Sequence, residues 1–189
     1  MSSGRLDHAS EGTSATGAKS QVVHGSFTLR VDFSASPEQV FAAFAEPSLR
    51  TRWFRLPGSS KHATHALDFR VGGSEVATNL FVSGDVEERV EYRSRFHDIV
   101  PGERIVYAYE GHVDGLRHWV SLVTVELAAQ AGGSRLDWTE QYTYLVVSDD
   151  GSQETAHLRG GTRLLLNGLS AVVDPHRFQH LARMRTDAS

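Results

Sequence analysis

The sequence predicts an α+β fold: a curved antiparallel sheet of about seven strands wraps round one long C-terminal helix, with one or two short helices after the first strand. Three observations predict it. Runs that alternate apolar and polar residues recur along most of the chain, separated by turn dipeptides at regular spacing, as in an antiparallel meander. A single apolar pattern of helical period follows them, from about residue 152 to 173. No strand–helix–strand alternation and no internal repeat occurs, so a parallel sheet has no support.

Taken in order, residues 1–20 are rich in Ser, Gly, Ala and Thr and hold too little apolar surface to offset their ordering entropy, which predicts a disordered tail. In "VVHGSFTLRVDF", Val23, Phe27, Leu29, Val31 and Phe33 alternate with His24, Ser26, Thr28, Arg30 and Asp32, the pattern of a half-buried strand. Ser36, Pro37 and Gln39 then supply an N-cap, a first helical residue and the far half of a capping box. Val40, Phe41 and Phe44 give that short helix an apolar stripe, and Pro47 ends it and opens a second through "SLRTRWF". "HALDFRV" and "SEVATNLFV" read as a hairpin about a two-residue Gly72-Gly73 turn. "VEERVEYRSRFHDIV" is a long strand ending at Pro101-Gly102. Asp114-Gly115 joins "ERIVYAYEGHV" to "LRHWVSLVTVEL", and Gly132-Gly133 leads into "SRLDWTEQYTYLVV". In the closing helix Leu158, Leu165, Leu169 and Val172 recur at steps of three and four, with Leu164 and Leu166 widening the stripe. Its Gly160, Gly161 and Gly168 cost about 1 kcal/mol each, which predicts a close backbone approach at each. Asp174-Pro175 stops the helix. One domain over 21–175, followed by a polar extension over 176–189, accounts for the rest.

Composition excludes several function classes. The 189 residues carry a net charge of −4, which disfavours a nucleic-acid or anionic-membrane surface. There is no cysteine, so disulfides and thiolate chemistry are excluded, and a reducing compartment is compatible. No apolar run is long enough for a membrane helix and no secretory signal opens the chain. The expectation is a cytoplasmic protein without membrane insertion.

The order "SPEQVFAAFAEPSLRTRWF", "LDFRVGGSEV", "FHDIVPGERIVYAYE", "SRLDWTEQ", "RGGTRLLLNGLSAVV" resembles the SRPBCC superfamily, with its START-like, Bet v 1-like helix-grip fold. The branch it resembles most is named after the C-terminal domain of the activator of the heat-shock protein 90 ATPase. The resemblance covers about residues 22–173. It implies a cavity between sheet and last helix, and it specifies function weakly, because the fold hosts lipid carriers, hormone receptors and polyketide cyclases. Many branch members carry a Gly-Trp pair in the last helix, whereas this chain reads "RGGTRLLLNG" there. The eukaryotic activator's extra N-terminal domain is matched here only by a short polar segment.

The residue that stands out is Glu140. In "DWTEQYTY" it shares one strand face with Leu136, Trp138, Tyr142 and Tyr144. A carboxylate turned to that face loses hydration unless it is paired, protonated or wet. It is therefore a satisfied structural group, a ligand-orienting group or general base, or a residue turned outward by a bulge. The aromatic side chains on strands or on the helical link, Trp53, Phe69, Phe81, Phe96, Tyr107, Tyr109, Trp119, Trp138 and Tyr142, are core residues or the walls of a ligand cavity, with Leu165 facing them from the helix.

No metal site is predicted among the ten histidines: His62 and His65 lie in an extended region, His176 and His180 lack the Glu of a zincin, and His97, His112 and His118 lack zinc spacing. The glycines of "DFRVGG" lack the strand-to-helix context of a phosphate loop, and no nucleophile elbow or dinucleotide fingerprint occurs, so no cofactor is expected. The leading reading is a binder of a hydrophobic or aromatic small molecule. The alternatives are a cyclase- or hydratase-type enzyme in which Glu140 and a Tyr or His act as base and acid, and a co-chaperone-like interaction module. A homodimer is compatible, and a chaperone partner rests on the resemblance alone.

Overall fold

A computed structural model describes residues 22–175; the predicted tail over 1–20, the extension over 176–189 and the His176/His180 pair lie outside them. The chain enters through β1 (Val23–Phe33), passes α1 (Pro37–Ala45) and α2 (Pro47–Trp53), then forms β2 (Thr64–Leu67), β3 (Ser74–Ser83), β4 (Val86–Val100), β5 (Arg104–Val113), β6 (Leu116–Gln130) and β7 (Gly133–Tyr144), and closes with α3 (Ser152–Val173). The strands make one seven-stranded sheet in the order β1-β7-β6-β5-β4-β3-β2, and every pairing in it is antiparallel. β2 to β7 are a simple meander. β1 lies on the far edge beside β7, and α1 and α2 carry the chain back across to β2.

Local chemistry sets the element ends. Gln39 donates its backbone N–H to the Ser36 side chain, and the Gln39 side chain accepts from the Ser36 N–H at 2.9 Å, so the capping box of α1 is complete. Pro47 occupies the first turn of α2. Asp114 and Gly115 both have positive φ, 50° and 79°, as a two-residue hairpin turn between Val113 and Leu116 requires. The far end of α3 is tied to the end of β1, where the Ser34 N–H and hydroxyl both donate to Asp174.

Four expectations change. The β2–β3 hairpin does not turn on Gly72-Gly73: β2 ends at Leu67, and the loop over 68–73, held by Asp68 N–H to Ser74 O and Phe96 N–H to Gly73 O, removes Phe69 from the strand. Gly133 already belongs to β7, so the last turn is Ala131-Gly132. The buried line of α3 is Leu158, Thr162, Leu166 and Leu169, with Leu165 only partly buried at its side and Leu164 72% exposed. At about 100° per residue Leu164 lies roughly 200° round from Leu166, so the three adjacent leucines cannot share one face. Of the three helix glycines, Gly168 does face a neighbour, since a Cβ there would stand 3.3 Å from the Trp53 carbonyl, while Gly160 and Gly161 face open space.

The main core lies between the concave face of the sheet and the three helices. It is built from Phe33, Val40, Phe44, Phe96, Ile105, Val123, Val125, Leu136 and Leu169 among others. A smaller cluster joins Tyr142 and Tyr144 of β7 to Leu158 of α3.

Candidate functional site: two buried carboxylates on the concave face

Period two on β7 turns Leu136, Trp138, Glu140, Tyr142 and Tyr144 inward, and all are buried. Glu140 has 0% exposure. Its Oε1 accepts from the Tyr109 hydroxyl at 2.6 Å, and its Oε2 accepts from Trp138 Nε1 at 3.1 Å, with Thr162 Oγ1 of α3 at 3.2 Å. Trp138 reaches it because residues two apart stand on one strand face. Tyr109 reaches it across β6, which separates β5 from β7.

Burial raises the Glu140 pKa, against the lowering effect of Tyr109, Ser121, Trp138 and Thr162. Burial first, and the Glu140 charge second, push the Tyr109 phenol well above its ordinary value, so Tyr109 keeps its proton and is the donor of the pair. Thr162 adds a constraint. It has one hydroxyl proton and two acceptors within reach, Leu158 O at 3.0 Å and Glu140 Oε2 at 3.2 Å. When the proton goes to Leu158, the contact with Glu140 survives as a hydrogen bond only if Glu140 itself carries a proton. Burial therefore favours a carboxyl that takes up a proton more readily than one in water, and Thr162 opposes this only while its hydroxyl proton is turned to Glu140.

The second carboxylate is Glu75 on β3, also with 0% exposure. Arg50 of α2 grips it with two parallel bonds, Nε to Oε1 and Nη2 to Oε2, each 2.7 Å. His65 Nε2 lies 2.8 Å from the same Oε1. The Arg50 guanidinium is layered against Trp53 and Phe54, 4.2 and 4.3 Å from the ring centroids. Burial pulls Arg50 down and Glu75 up, but each ion outweighs that effect for the other, leaving Arg50 raised, Glu75 lowered and both charged. Sequence reasoning missed this cluster. Its one legible trace is the parity of "SEVATNLF", which sets Glu75 on one face with Ala77, Asn79 and Phe81, as "DWTEQYTY" sets Glu140.

Aromatic rings join the two carboxylates. Tyr92 packs 4.8 Å from Phe54 and 5.0 Å from Tyr109, and Tyr107 packs 6.0 Å from Trp138. Along this seam Tyr92 OH, Ser94 Oγ, Trp119 Nε1 and Ser121 Oγ are buried without a hydrogen-bond partner. Ser121 lies close enough to bear on the ionisation of Glu140 and Tyr109, Trp119 on that of Tyr109 and Ser94 on that of Tyr92, yet none of these contacts has the geometry of a hydrogen bond.

The predicted cavity residues thus separate into groups. Tyr107, Tyr109, Trp138 and Glu140 adjoin one another, and Trp119 and Tyr142 extend the group, with Trp119 lying over Gly111, where any Cβ would strike the indole. Phe69 and Phe96 pack together at one end, 5.0 Å apart. Trp53 is occupied structurally, since its Nε1 donates to Ala43 O at 2.8 Å while its ring supports Arg50. Leu165 sits at the side of the α3 line, and Phe81 is half-buried outside both core clusters. Among the described residues no three His, Cys, Asp or Glu side chains gather as a metal site needs. The open clefts include a groove of about 470 Å³ between β1 and α3 beside Arg159 and Arg163, clefts of about 640 and 400 Å³ over the sheet beside Val120, one reaching Ser121 and Tyr142 and the other Ser94 and Tyr109, and a cleft of about 290 Å³ between the end of α2 and the β2–β3 edge.

Residues 34–174 match the family described as Activator of Hsp90 ATPase homolog 1-like protein. The chain belongs to this family. Solved structures similar to this chain include an uncharacterised protein from Rhizobium leguminosarum, 31% identical over 82% of this chain and 98% of its own, with a TM-score of 0.70. Protein Mll3558 from Rhizobium loti is 36% identical over 80% of this chain and 99% of its own, with a TM-score of 0.68. Protein CV1439 from Chromobacterium violaceum is 27% identical over 80% and 99%, with a TM-score of 0.55. No curated protein matches the sequence. The helix-grip fold of the SRPBCC superfamily is therefore the architecture of this chain. No helix among the described residues is long and apolar enough to cross a membrane.

Proposed function

We propose that this family member binds a small molecule with an aromatic or apolar body and oxygen acceptors against the concave face, between α3 and strands β4 to β7. The observation that carries the reading is the set of buried, unpartnered groups beside Glu140: Tyr92 OH, Trp119 Nε1, Ser94 Oγ and Ser121 Oγ. In a core that served only stability, each would cost about 1–3 kcal/mol. The indole N–H can only donate and the hydroxyls can donate, so a carbonyl, ether or hydroxyl oxygen on a ligand suits them. Tyr107, Tyr109, Trp119 and Trp138 supply the flat apolar surface that such a body needs. The fold family commonly binds hydrophobic ligands, which supports the reading without selecting a ligand.

An enzyme of acid–base type needs Glu140 near a proton donor and open to substrate. Tyr109 meets the first condition, but the full enclosure of Glu140 and the occupation of both its oxygens do not meet the second. Binding is therefore preferred over catalysis. A cytoplasmic location is compatible with the lack of cysteine.

The test is native mass spectrometry of freshly purified protein beside its Tyr92→Phe and Ser121→Ala variants. A co-purified small-molecule mass is expected on the parent, released on denaturation and retained less by the variants at unchanged melting temperature. A parent that carries no adduct and gains no melting temperature from aromatic ketones removes the proposal.

A further inference from the structure

The cleft between the end of α2 and the β2–β3 edge is separate from the Glu140 seam and has a chemistry of its own. Its walls are apolar at Phe54, Leu56, Ala63 and Ala77, and His65 lines it. The His65 side chain keeps 15% exposure, whereas Glu75 beside it has none. Glu75 is held ionised by Arg50, so it only accepts hydrogen bonds. The ring nitrogen facing it, Nε2 at 2.8 Å, must then carry the hydrogen. In the neutral imidazole this leaves the lone pair on Nδ1. No protein group among the described residues bonds Nδ1, and the His65 side chain is the partly exposed member of the cluster on the cleft wall.

The Arg50–Glu75 pair is thus a positioning device. Two parallel bonds prevent the carboxylate from turning, the carboxylate selects one tautomer, and the ring is further held 5.9 Å from Phe54. Stability alone gives little reason for such a pair, because a well-packed apolar replacement of a buried ion pair is often neutral or better. A volume of about 290 Å³ accommodates a one- or two-ring body and is too small for a lipid-sized one.

We propose that this cleft is a second small-molecule site, selective for a one- or two-ring phenol or similar hydroxylated ligand whose O–H donates to His65 Nδ1 while its ring lies against Phe54 and Leu56. Arg50 and Glu75 act through His65 and do not touch the ligand. The site is independent of the concave-face reading.

4-Fluorophenol, followed by fluorine NMR, is the probe, with fluorobenzene as its hydroxyl-free control. The parent should bind 4-fluorophenol more tightly than fluorobenzene. His65→Leu, checked for folding by circular dichroism, should weaken 4-fluorophenol about tenfold, the loss of roughly one hydrogen bond, and leave fluorobenzene unchanged. Glu140→Gln should leave both unchanged. A second measurement uses the parent alone: carbethoxylation of His65 by diethyl pyrocarbonate, read by peptide mass spectrometry, should slow several-fold when 4-fluorophenol saturates the site. Equal binding of the two probes by the parent, full binding by His65→Leu, an unprotected His65, or binding lost in Glu140→Gln instead would each overturn the proposal.

Discussion

Replacing Glu140 with Gln separates a carboxylate needed for the fold from one tolerated by it. The amide has the same shape. Its carbonyl can take the place of Oε2 and accept from Trp138 and Thr162, now at 3.1 and 3.2 Å, while its NH₂ donates to the Tyr109 oxygen now 2.6 Å from Oε1. All three contacts are kept, with the Tyr109 hydroxyl now accepting and its own proton turned toward the unpartnered Ser121 Oγ beside it, and the cost of burying an ionised group disappears. The pH dependence follows from the raised pKa of Glu140. A carboxyl with a raised folded pKa binds more protons folded than unfolded, so its contribution is fully present below the unfolded value and is lost as pH rises through the folded one. Each unit of difference corresponds to about 1.4 kcal/mol. Glu140→Gln should therefore lie within about 1 kcal/mol of the parent at pH 5 and gain on it as pH rises to 8. Glu140→Leu leaves the buried Tyr109 hydroxyl and Trp138 N–H without acceptors, while Thr162 keeps Leu158. At about 1–3 kcal/mol for each stranded donor, the loss should be about 2–6 kcal/mol. Urea unfolding at the two pH values measures all of this. A Glu140→Gln protein more than about 2 kcal/mol weaker than the parent at pH 8, with its pH slope unchanged, would refute the argument and make the charge itself the anchor.

Other consequences are independent of that result. Leu166→Ala should cost about 2–5 kcal/mol, because Leu166 is on the buried line of α3, while Leu164→Ala should stay within about 0.5 kcal/mol; equal effects in thermal melts would contradict the helix orientation. Removing one partner of the second cluster by Arg50→Met or Glu75→Leu should cost about 3–5 kcal/mol, and Arg50→Met with Glu75→Leu should recover much of it; additive losses in a double-mutant cycle would argue against direct coupling. Glu75 has a lowered folded pKa, so its contribution is present above the unfolded value and should fade as pH falls through the folded one, visible as a parent acid-unfolding step that the double variant lacks. Gly160→Ala should raise stability by about 0.5–1 kcal/mol, because a Cβ there meets open space, whereas Gly111→Ala should lower the melting temperature through its clash with Trp119.

The division between sequence and tertiary structure follows the range of each interaction. Ser36 and Gln39 close a cap within one helical turn, Asp114 and Gly115 turn within two residues, and the inward face of Glu140 follows from a period of two along its own strand. Such features depend on neighbours in the chain, so the pattern of residue types determined them, and with them the order of strands and helices. The partners of Glu140 were out of reach of that reasoning. Tyr109 lies 31 residues away, and any of five tyrosines had the chemistry to serve. The Arg50–Glu75 pair, 25 residues apart, gives no local sign, because a surface arginine on α2 and a strand-edge glutamate look the same in sequence as a buried pair. Three adjacent leucines at 164–166 left the rotation of α3 undecided until Thr162 met Glu140. The loop over 68–73 likewise departs from a two-residue turn because Phe96 and Gly73 bond across it. Which side chains meet depends on strand register, helix rotation and the curvature of the sheet, and those are set by packing the whole core at once.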